Sequence, residues 1–116
     1  MRTERRSHKR IIRMLYARCI TEQDLFYGYA DKLSRAGFCI TCDQLLKIDE
    51  GLEINLKVGP GRTLRLYGLA TWKHELPAGA QNPYIYGISL KCPPEEYIEY
   101  VNGLILAHDP LVARAG

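Results

Sequence analysis

Alternation of apolar and polar residues dominates the middle of the chain and predicts β-strands. In the clearest case, apolar residues alternate along the sequence with charged or polar ones. The apolar positions are Leu52, Ile54, Leu56 and Val58. Five more segments alternate or are rich in strand-forming residues: 12–16, 25–33, 38–41, 63–73 and 84–90. Short turns separate the segments, so we expect antiparallel pairing, because parallel strands need long crossover connections.

Two of these segments make specific predictions about burial. Ile12, Met14 and Tyr16 alternate as the apolar positions of the first strand. In the segment 63–73 one face carries Leu64, Leu66, Gly68, Ala70 and Trp72. We therefore expect Trp72 to belong to the core rather than to serve as an exposed stacking platform.

The period changes at the end of the chain and predicts a helix over about 94–107. Pro93 and Pro94 stop the last strand, and Glu95 and Glu96 suit the positive end of a helix dipole. Apolar positions then follow a helical spacing: Tyr97, Val101, Leu104, Ile105 and His108. The predicted fold is all-β, a six-stranded antiparallel barrel with one C-terminal α-helix that covers an edge or mouth.

The charge distribution divides the chain of 116 residues into a basic arm and a slightly acidic body. Residues 1–13 contain six Lys or Arg and one Glu, whereas the other 103 residues contain ten basic and twelve acidic residues. We expect 1–13 to be a flexible arm and 14–116 to be the barrel with its helix. The charge allows two interpretations, a binding arm for an anion or a solvated terminus.

The sequence favours neither an enzyme nor a metalloprotein. Catalytic motifs such as the P-loop, HExxH and GxSxG are absent, so we expect no catalytic residue and no cofactor. Cys39 and Cys42 have a CxxC spacing, but a zinc site needs two further ligands, and a strand places these two thiols on opposite faces. Without a long apolar run or an export signal, we expect a cytoplasmic protein that is not inserted in a membrane.

The arm has the chemistry to hold a nucleotide. Arg6 and Arg10 lie four residues apart, immediately before the first predicted strand. A guanidinium can bind phosphate oxygens with two parallel hydrogen bonds, and it can equally bind O6 and N7 of guanine. This chemistry alone does not select one anion.

The whole chain resembles the PilZ domain, a bacterial receptor module for cyclic di-GMP. Residues 4–10, with Arg6-x-x-x-Arg10, are similar to the RxxxR arm of that family, and residues 33–37 are similar to the later part of its (D/N)xSxxG motif. Residues 46–58, 68–72 and 86–90 resemble the strands that follow in the family, including its G-x-V-x-W strand. The resemblance implies a stand-alone, six-stranded PilZ-like barrel.

The resemblance also implies the residues that hold the ligand. Arg6 and Arg10 would wrap cyclic di-GMP, and Ser34 and Gly37 would lie on the barrel face beneath a guanine. Arg5 directly precedes the RxxxR motif, a position associated in the family with binding a stacked pair of ligand molecules. A purely electrostatic role for Arg5 is the alternative.

One position departs from the family pattern. Lys32 stands where the family has Asp or Asn, and an ammonium group cannot accept hydrogen bonds from guanine N1 and N2. Either Asp31 supplies the acceptor through a β-bulge, or Lys32 meets a phosphate. We therefore include Asp31 and Lys32 among the predicted ligand-binding residues.

Three functions follow from these observations. The first is a cyclic di-GMP receptor that changes conformation on binding and signals to a downstream protein partner in motility, attachment or polysaccharide control. The second is a PilZ-like adaptor that binds a protein with weak or no cyclic di-GMP binding, which Lys32 favours. The third is binding of nucleic acid through the arm. We do not expect nucleic acid to be the partner, because the body of the protein has a net negative charge.

Overall fold

Six strands and one helix make up most of residues 13–107, the part of the chain that the structure, a computed structural model, describes. The elements are β1 (Leu15–Ile20), β2 (Leu25–Ser34), β3 (Gly37–Cys42), β4 (Gly51–Gly59), β5 (Arg62–Glu75), β6 (Tyr84–Leu90) and α1 (Glu95–Ala107). The predicted number of strands and the C-terminal helix are confirmed. The first strand runs over Leu15–Ile20 rather than over the predicted 12–16, of which residue 12 lies outside the described residues. The predicted arm, apart from Arg13, lies outside the described residues.

The strands close into an antiparallel barrel with the order β1-β2-β3-β6-β5-β4. Four of the pairings join neighbours along the chain or across one hairpin, whereas β1 with β4 and β3 with β6 join distant segments. Closure gives every strand two hydrogen-bonded neighbours, which removes exposed sheet edges.

Alternating side chains fill the barrel. Strand β4 buries Leu52, Ile54 and Leu56 as the pattern predicts, and β6 buries Tyr86 and Ile88. The hydroxyl of Tyr86 donates to the main-chain oxygen of Gln44 (2.9 Å) and accepts from the amide of Leu46 (2.8 Å). These bonds hold the β3–β4 loop over the barrel, so that Leu46 joins the core.

The burial predicted for the first strand is wrong. Leu15, Ala17 and Cys19 face the core, whereas Met14 and Tyr16 face the solvent. The inward positions of β1 hold one large residue, Leu15, and two small ones, Ala17 and Cys19, whereas Met14 and Tyr16 lie outside. The hydrophobicity of individual residues therefore predicted the wrong buried face for this strand.

Two β-bulges change which side chains face outward. The β2–β3 register shifts between Asp31 and Ser34, and the β5–β6 register shifts between Ala70 and Trp72. An extra residue in one strand reverses the facing of the residues that follow it. The second bulge puts Trp72 on the outer surface with 46% of its area exposed, so the prediction that Trp72 belongs to the core is wrong.

Helix α1 packs on the barrel through one face. Tyr97 and Val101 are fully buried, and Ile98 and Ile105 pack against the same core. Glu95 and Glu96 occupy the first turn, where negative charge favours the helix dipole. No helix within residues 13–107 is long and apolar enough to cross a membrane.

The two cysteines of the CxxC segment lie on opposite faces of β3. Cys42 belongs to the core with Cys19, and Cys39 is buried on the outer side of the strand. Among the described residues, no three His, Cys, Asp or Glu side chains are arranged to hold a metal ion.

Candidate functional site

The β2–β3 hairpin begins with a bulge at Lys32. This residue has a φ of 56°, in the left-handed region that favours Gly, Asn or Asp over other residues. The bulge lets Leu33 continue into the core, and it leaves the side chain of Lys32 exposed. The bulge thereby places a lysine side chain near the end of β2, on the outer surface.

Asp31 stabilises the bulge through one carboxylate oxygen. Its Oδ1 accepts hydrogen bonds from the amide of Lys32 (2.7 Å) and from the amide of Arg13 (2.8 Å). The second bond ties Arg13, the last residue of the predicted arm, to β2. Asp31 thus supports the backbone at this point.

Ser34 and Gly37 close the hairpin and form a register pair. The Ser34 hydroxyl donates to the main-chain oxygen of Gly37 at 3.3 Å, and both residues are buried. A Cβ at position 37 would overlap the main-chain oxygen of Ile88 on β6. Glycine is therefore required by the close approach of two strands.

Trp72 lies against the backbone of Gly87 on the neighbouring strand. A Cβ at position 87 would overlap the indole, so the absence of a side chain there makes room for the ring. Thr71, inside the bulge, donates from its hydroxyl to the main-chain oxygen of Gly87 at 3.2 Å. The bulge and the glycine together fix an exposed aromatic ring on the barrel surface.

These features surround one cavity of about 180 Å³ on the outer surface. Its wall includes Lys32, Ser34, Gly37, Cys39, Trp72 and Gly87. The hairpin supplies one side, and the Trp72 ring, from the second bulge, supplies the other. Four adjacent strands contribute to the cavity because their residues pair side by side. Asp31 on β2 pairs with Cys39 on β3, Cys39 pairs with Gly87 on β6, and Gly87 pairs with Trp72 on β5.

The cavity combines an aromatic wall with a cation and hydroxyl groups. Lys32 supplies positive charge, and Ser89 supplies a hydroxyl. Ser34 and Thr71 also line the cavity, but their hydroxyls already donate to the main-chain oxygens of Gly37 and Gly87. None of the described residues that line the cavity is acidic. A flat ring that carries hydrogen-bond acceptors or an adjoining anion suits this arrangement, because aromatic faces stack and ammonium groups only donate.

The structure brings together part of the predicted site. Lys32, Ser34 and Gly37 line the cavity, and Asp31 lies next to it in the bulge without being part of its wall. Arg5, Arg6 and Arg10 lie outside the described residues. The site predictions missed Trp72, Gly87 and Cys39, although Gly87 was visible in the pattern of residues 86–90.

A second, more open depression of about 450 Å³ lies on β1, β4 and β5. Ile20, Leu52, Tyr67 and Lys91 are among its lining residues. None of the predicted site residues that the structure describes contributes to it. The smaller cavity is therefore the candidate functional site.

Comparisons with known proteins show a PilZ-like fold. The PilZ domain of YcgR from Escherichia coli, with c-di-GMP, matches at a TM-score of 0.71 and 10% identity, over 90% of this chain and 91% of that one. The K. pneumonia MrkH–c-di-GMP complex matches at 0.72 and 14%, over 97% of this chain and 55% of that one. No protein-family model and no curated protein sequence matches the chain.

A third similar structure is the Bacillus subtilis inhibitor of motility, MotI/DgrA. It matches at a TM-score of 0.70 and 14% identity, over 90% of this chain and 52% of that one. The chain thus spans about half the length of the MotI/DgrA and MrkH chains. The resemblance to a PilZ barrel that the sequence motifs indicated is confirmed at the level of the fold.

Proposed function

We propose that this protein is a receptor or adaptor that binds cyclic di-GMP, changes conformation on binding and signals to a partner protein. The observation that carries the proposal is the meeting of Lys32, Ser34 and Gly37 with the Trp72 ring around one cavity. Two of the similar structures, YcgR and MrkH, are described with c-di-GMP, and a third is an inhibitor of motility. The proposed outputs are motility, attachment or polysaccharide control.

The size of the cavity supports a model in which the barrel and the arm bind different parts of the ligand. Sites that enclose a drug-sized ligand usually measure about 300–1,000 Å³, and this cavity measures about 180 Å³. It suits one base of a dinucleotide rather than the whole ligand. Arg5, Arg6 and Arg10, which precede β1 in the sequence, would hold the phosphates and the second base.

Trp72 supplies the stacking wall in this proposal. The ring is held against Gly87 and half-exposed beside the hairpin, so a guanine can lie on its free surface. Ser34 and Gly37 form the wall across from it. Lys32 would then meet a phosphate or an acceptor atom of the base.

Fluorescence of the single tryptophan provides the direct test. We expect cyclic di-GMP to quench Trp72 with a Kd below roughly 100 μM in low salt, confirmed by calorimetry. Arg6→Ala and Arg10→Ala should abolish binding, and Arg62→Ala, an exposed arginine in the β4–β5 hairpin, should not. Absence of heat and of quenching with the unaltered chain would overturn the proposal.

A second candidate is a PilZ-like adaptor that binds its protein partner without the nucleotide. The observation that favours it is the cavity wall, in which Lys32 replaces an acceptor and no acidic residue is present among the described residues. Lys32→Asp separates the two candidates. A gain in affinity of tenfold or more would favour the adaptor, whereas weaker binding would make Lys32 a ligand contact.

A further inference from the structure

Three tyrosines on the outer surface of β1 and β2 form a continuous aromatic area. The rings of Tyr16 and Tyr27 stack with centres 5.5 Å apart and planes 15° apart, and Tyr29 meets Tyr16 edge-on at 6.0 Å. Each tyrosine is between 41% and 48% exposed. Isolated exposed apolar residues are ordinary on protein surfaces, but contiguous ones mark interaction sites.

Arg18 lies within this area and forms no direct ion pair with a described residue, although its positive charge contributes to lowering the pKa of Glu53 on β4. It stands opposite Tyr27 on β2 and opposite Asn55 on β4. The neighbouring Arg65 is already bound to Glu53, at 3.1 Å between Nε and Oε2. Among residues 13–107, no carboxylate lies within ion-pair distance of Arg18. We call Tyr16, Arg18, Tyr27 and Tyr29 the tyrosine patch.

The closed barrel determines how a partner can approach this patch. Both β1 and β2 already pair with two neighbours, so a partner cannot extend the sheet by adding a strand. Recognition must therefore pass through side chains. Tyrosine and arginine are the residue types that carry much of the binding energy in protein interfaces.

We infer that the tyrosine patch is a docking surface for a protein segment that presents a carboxylate side chain beside proline or aliphatic residues. The carboxylate complements the exposed Arg18 guanidinium with two hydrogen bonds, since no residue of 13–107 forms a direct ion pair with it, and the apolar residues pack on the tyrosine rings. This inference deepens the proposed function by giving the partner a surface. Its geometry does not depend on the nucleotide site.

Single-stranded nucleic acid fits the patch less well. Base stacking requires open ring faces, whereas Tyr16 and Tyr27 each cover one face of the other. Phosphate tracking requires a line of cations, and the patch presents one guanidinium. A peptide that carries an acidic residue and apolar residues can bind both the Arg18 guanidinium and the tyrosine rings.

The test is selection of displayed random peptides on the full chain, followed by calorimetry with the recovered peptides. We expect enrichment of sequences with Asp or Glu next to proline or aliphatic residues. Arg18→Glu and Tyr27→Ser should each weaken binding by roughly tenfold or more. The matched control is Tyr67→Ser, an equally exposed tyrosine on β5, which should change affinity by less than about twofold.

Several outcomes would overturn the inference. These are no enrichment, enriched peptides without acids, equal binding by Arg18→Glu, or binding of a labelled single-stranded RNA at the patch in place of any peptide. Amide NMR spectra establish that each variant is folded and locate the contact. Cyclic di-GMP binding is measured separately through Trp72, so failure of the patch and failure of the nucleotide site are distinguishable.

Discussion

The hydroxyl of Tyr97 on α1 donates a 2.6 Å hydrogen bond to the main-chain oxygen of Ser34. The same hydroxyl lies 3.4 Å from the main-chain oxygen of Gly37, and burial raises the pKa of Tyr97 well above its usual range. A second contact joins the same elements, from Arg35 Nε to Asn102 Oδ1 at 2.6 Å. The helix is thus attached to the hairpin that forms one side of the cavity.

Tyr97→Phe should therefore lower the free energy of unfolding by about 1–3 kcal/mol, because a buried carbonyl oxygen loses its donor. Urea denaturation measures the change. Tyr100→Phe is the matched control, since its buried hydroxyl has no partner among the described residues. That control should be neutral or stabilising, and an equal loss in both variants would contradict the importance of the Tyr97 bond.

Gly87→Ala should displace the Trp72 ring, because the new methyl group occupies the space of the indole. We expect the tryptophan emission to shift to longer wavelength and the affinity for cyclic di-GMP to fall roughly tenfold or more. Gly59→Ala is the control, since no atom lies within 4 Å of a Cβ there. Unchanged emission and affinity in Gly87→Ala would show that the ring does not depend on this contact.

Lys32→Asn should stabilise the fold by about 1 kcal/mol, because asparagine tolerates the left-handed conformation better than lysine. Thermal or urea unfolding without ligand reports this effect alone. Lys47→Asn, at an exposed position where φ is not positive, should produce no such gain. The explanation fails if both variants change the stability equally.

The buried thiol of Cys19 should make stability fall at alkaline pH. Burial, reinforced by Cys42, raises the pKa of Cys19 from 9.0 to about 12. Above pH 9 the unfolded chain releases a proton that the folded chain retains, so unfolding becomes more favourable as the pH rises. The contribution is fully present below about pH 9 and disappears progressively toward pH 12, at up to about 1.4 kcal/mol per pH unit.

Urea denaturation at several pH values between about pH 8 and pH 11, in the presence of a reductant, measures this slope. Cys19→Ala should be less stable at neutral pH, because it leaves a cavity, but should lose less stability over the alkaline range. Parallel curves for the variant and the unaltered chain would contradict the assignment to Cys19.

Alternation was sufficient to predict the barrel because its strands have one buried face. Leu52, Ile54 and Leu56 face the core where the period of two places them. The helix was equally predictable from the sequence, since Pro94 precedes it and the buried residues Tyr97 and Val101 lie four residues apart. These elements depend on local patterns, which a single sequence contains.

The site was less predictable because it depends on bulges and on strand register. An extra residue reverses the facing of Trp72, and neither Thr71 nor Trp72 is a residue type that marks a bulge. Lys32 adopts a left-handed conformation without being Gly, Asn or Asp. The contact of Trp72 with Gly87 joins segments whose alignment only the folded barrel determines.

The order of strands in the closed barrel has a consequence for synthesis of the chain. Strand β3 pairs with β6, so one side of Gly37–Cys42 has no partner until Tyr84–Leu90 has left the ribosome. At about 5–20 residues per second, this interval lasts several seconds. During that time a hydrophobic strand edge is open to other chains, and the nascent protein is most prone to aggregation.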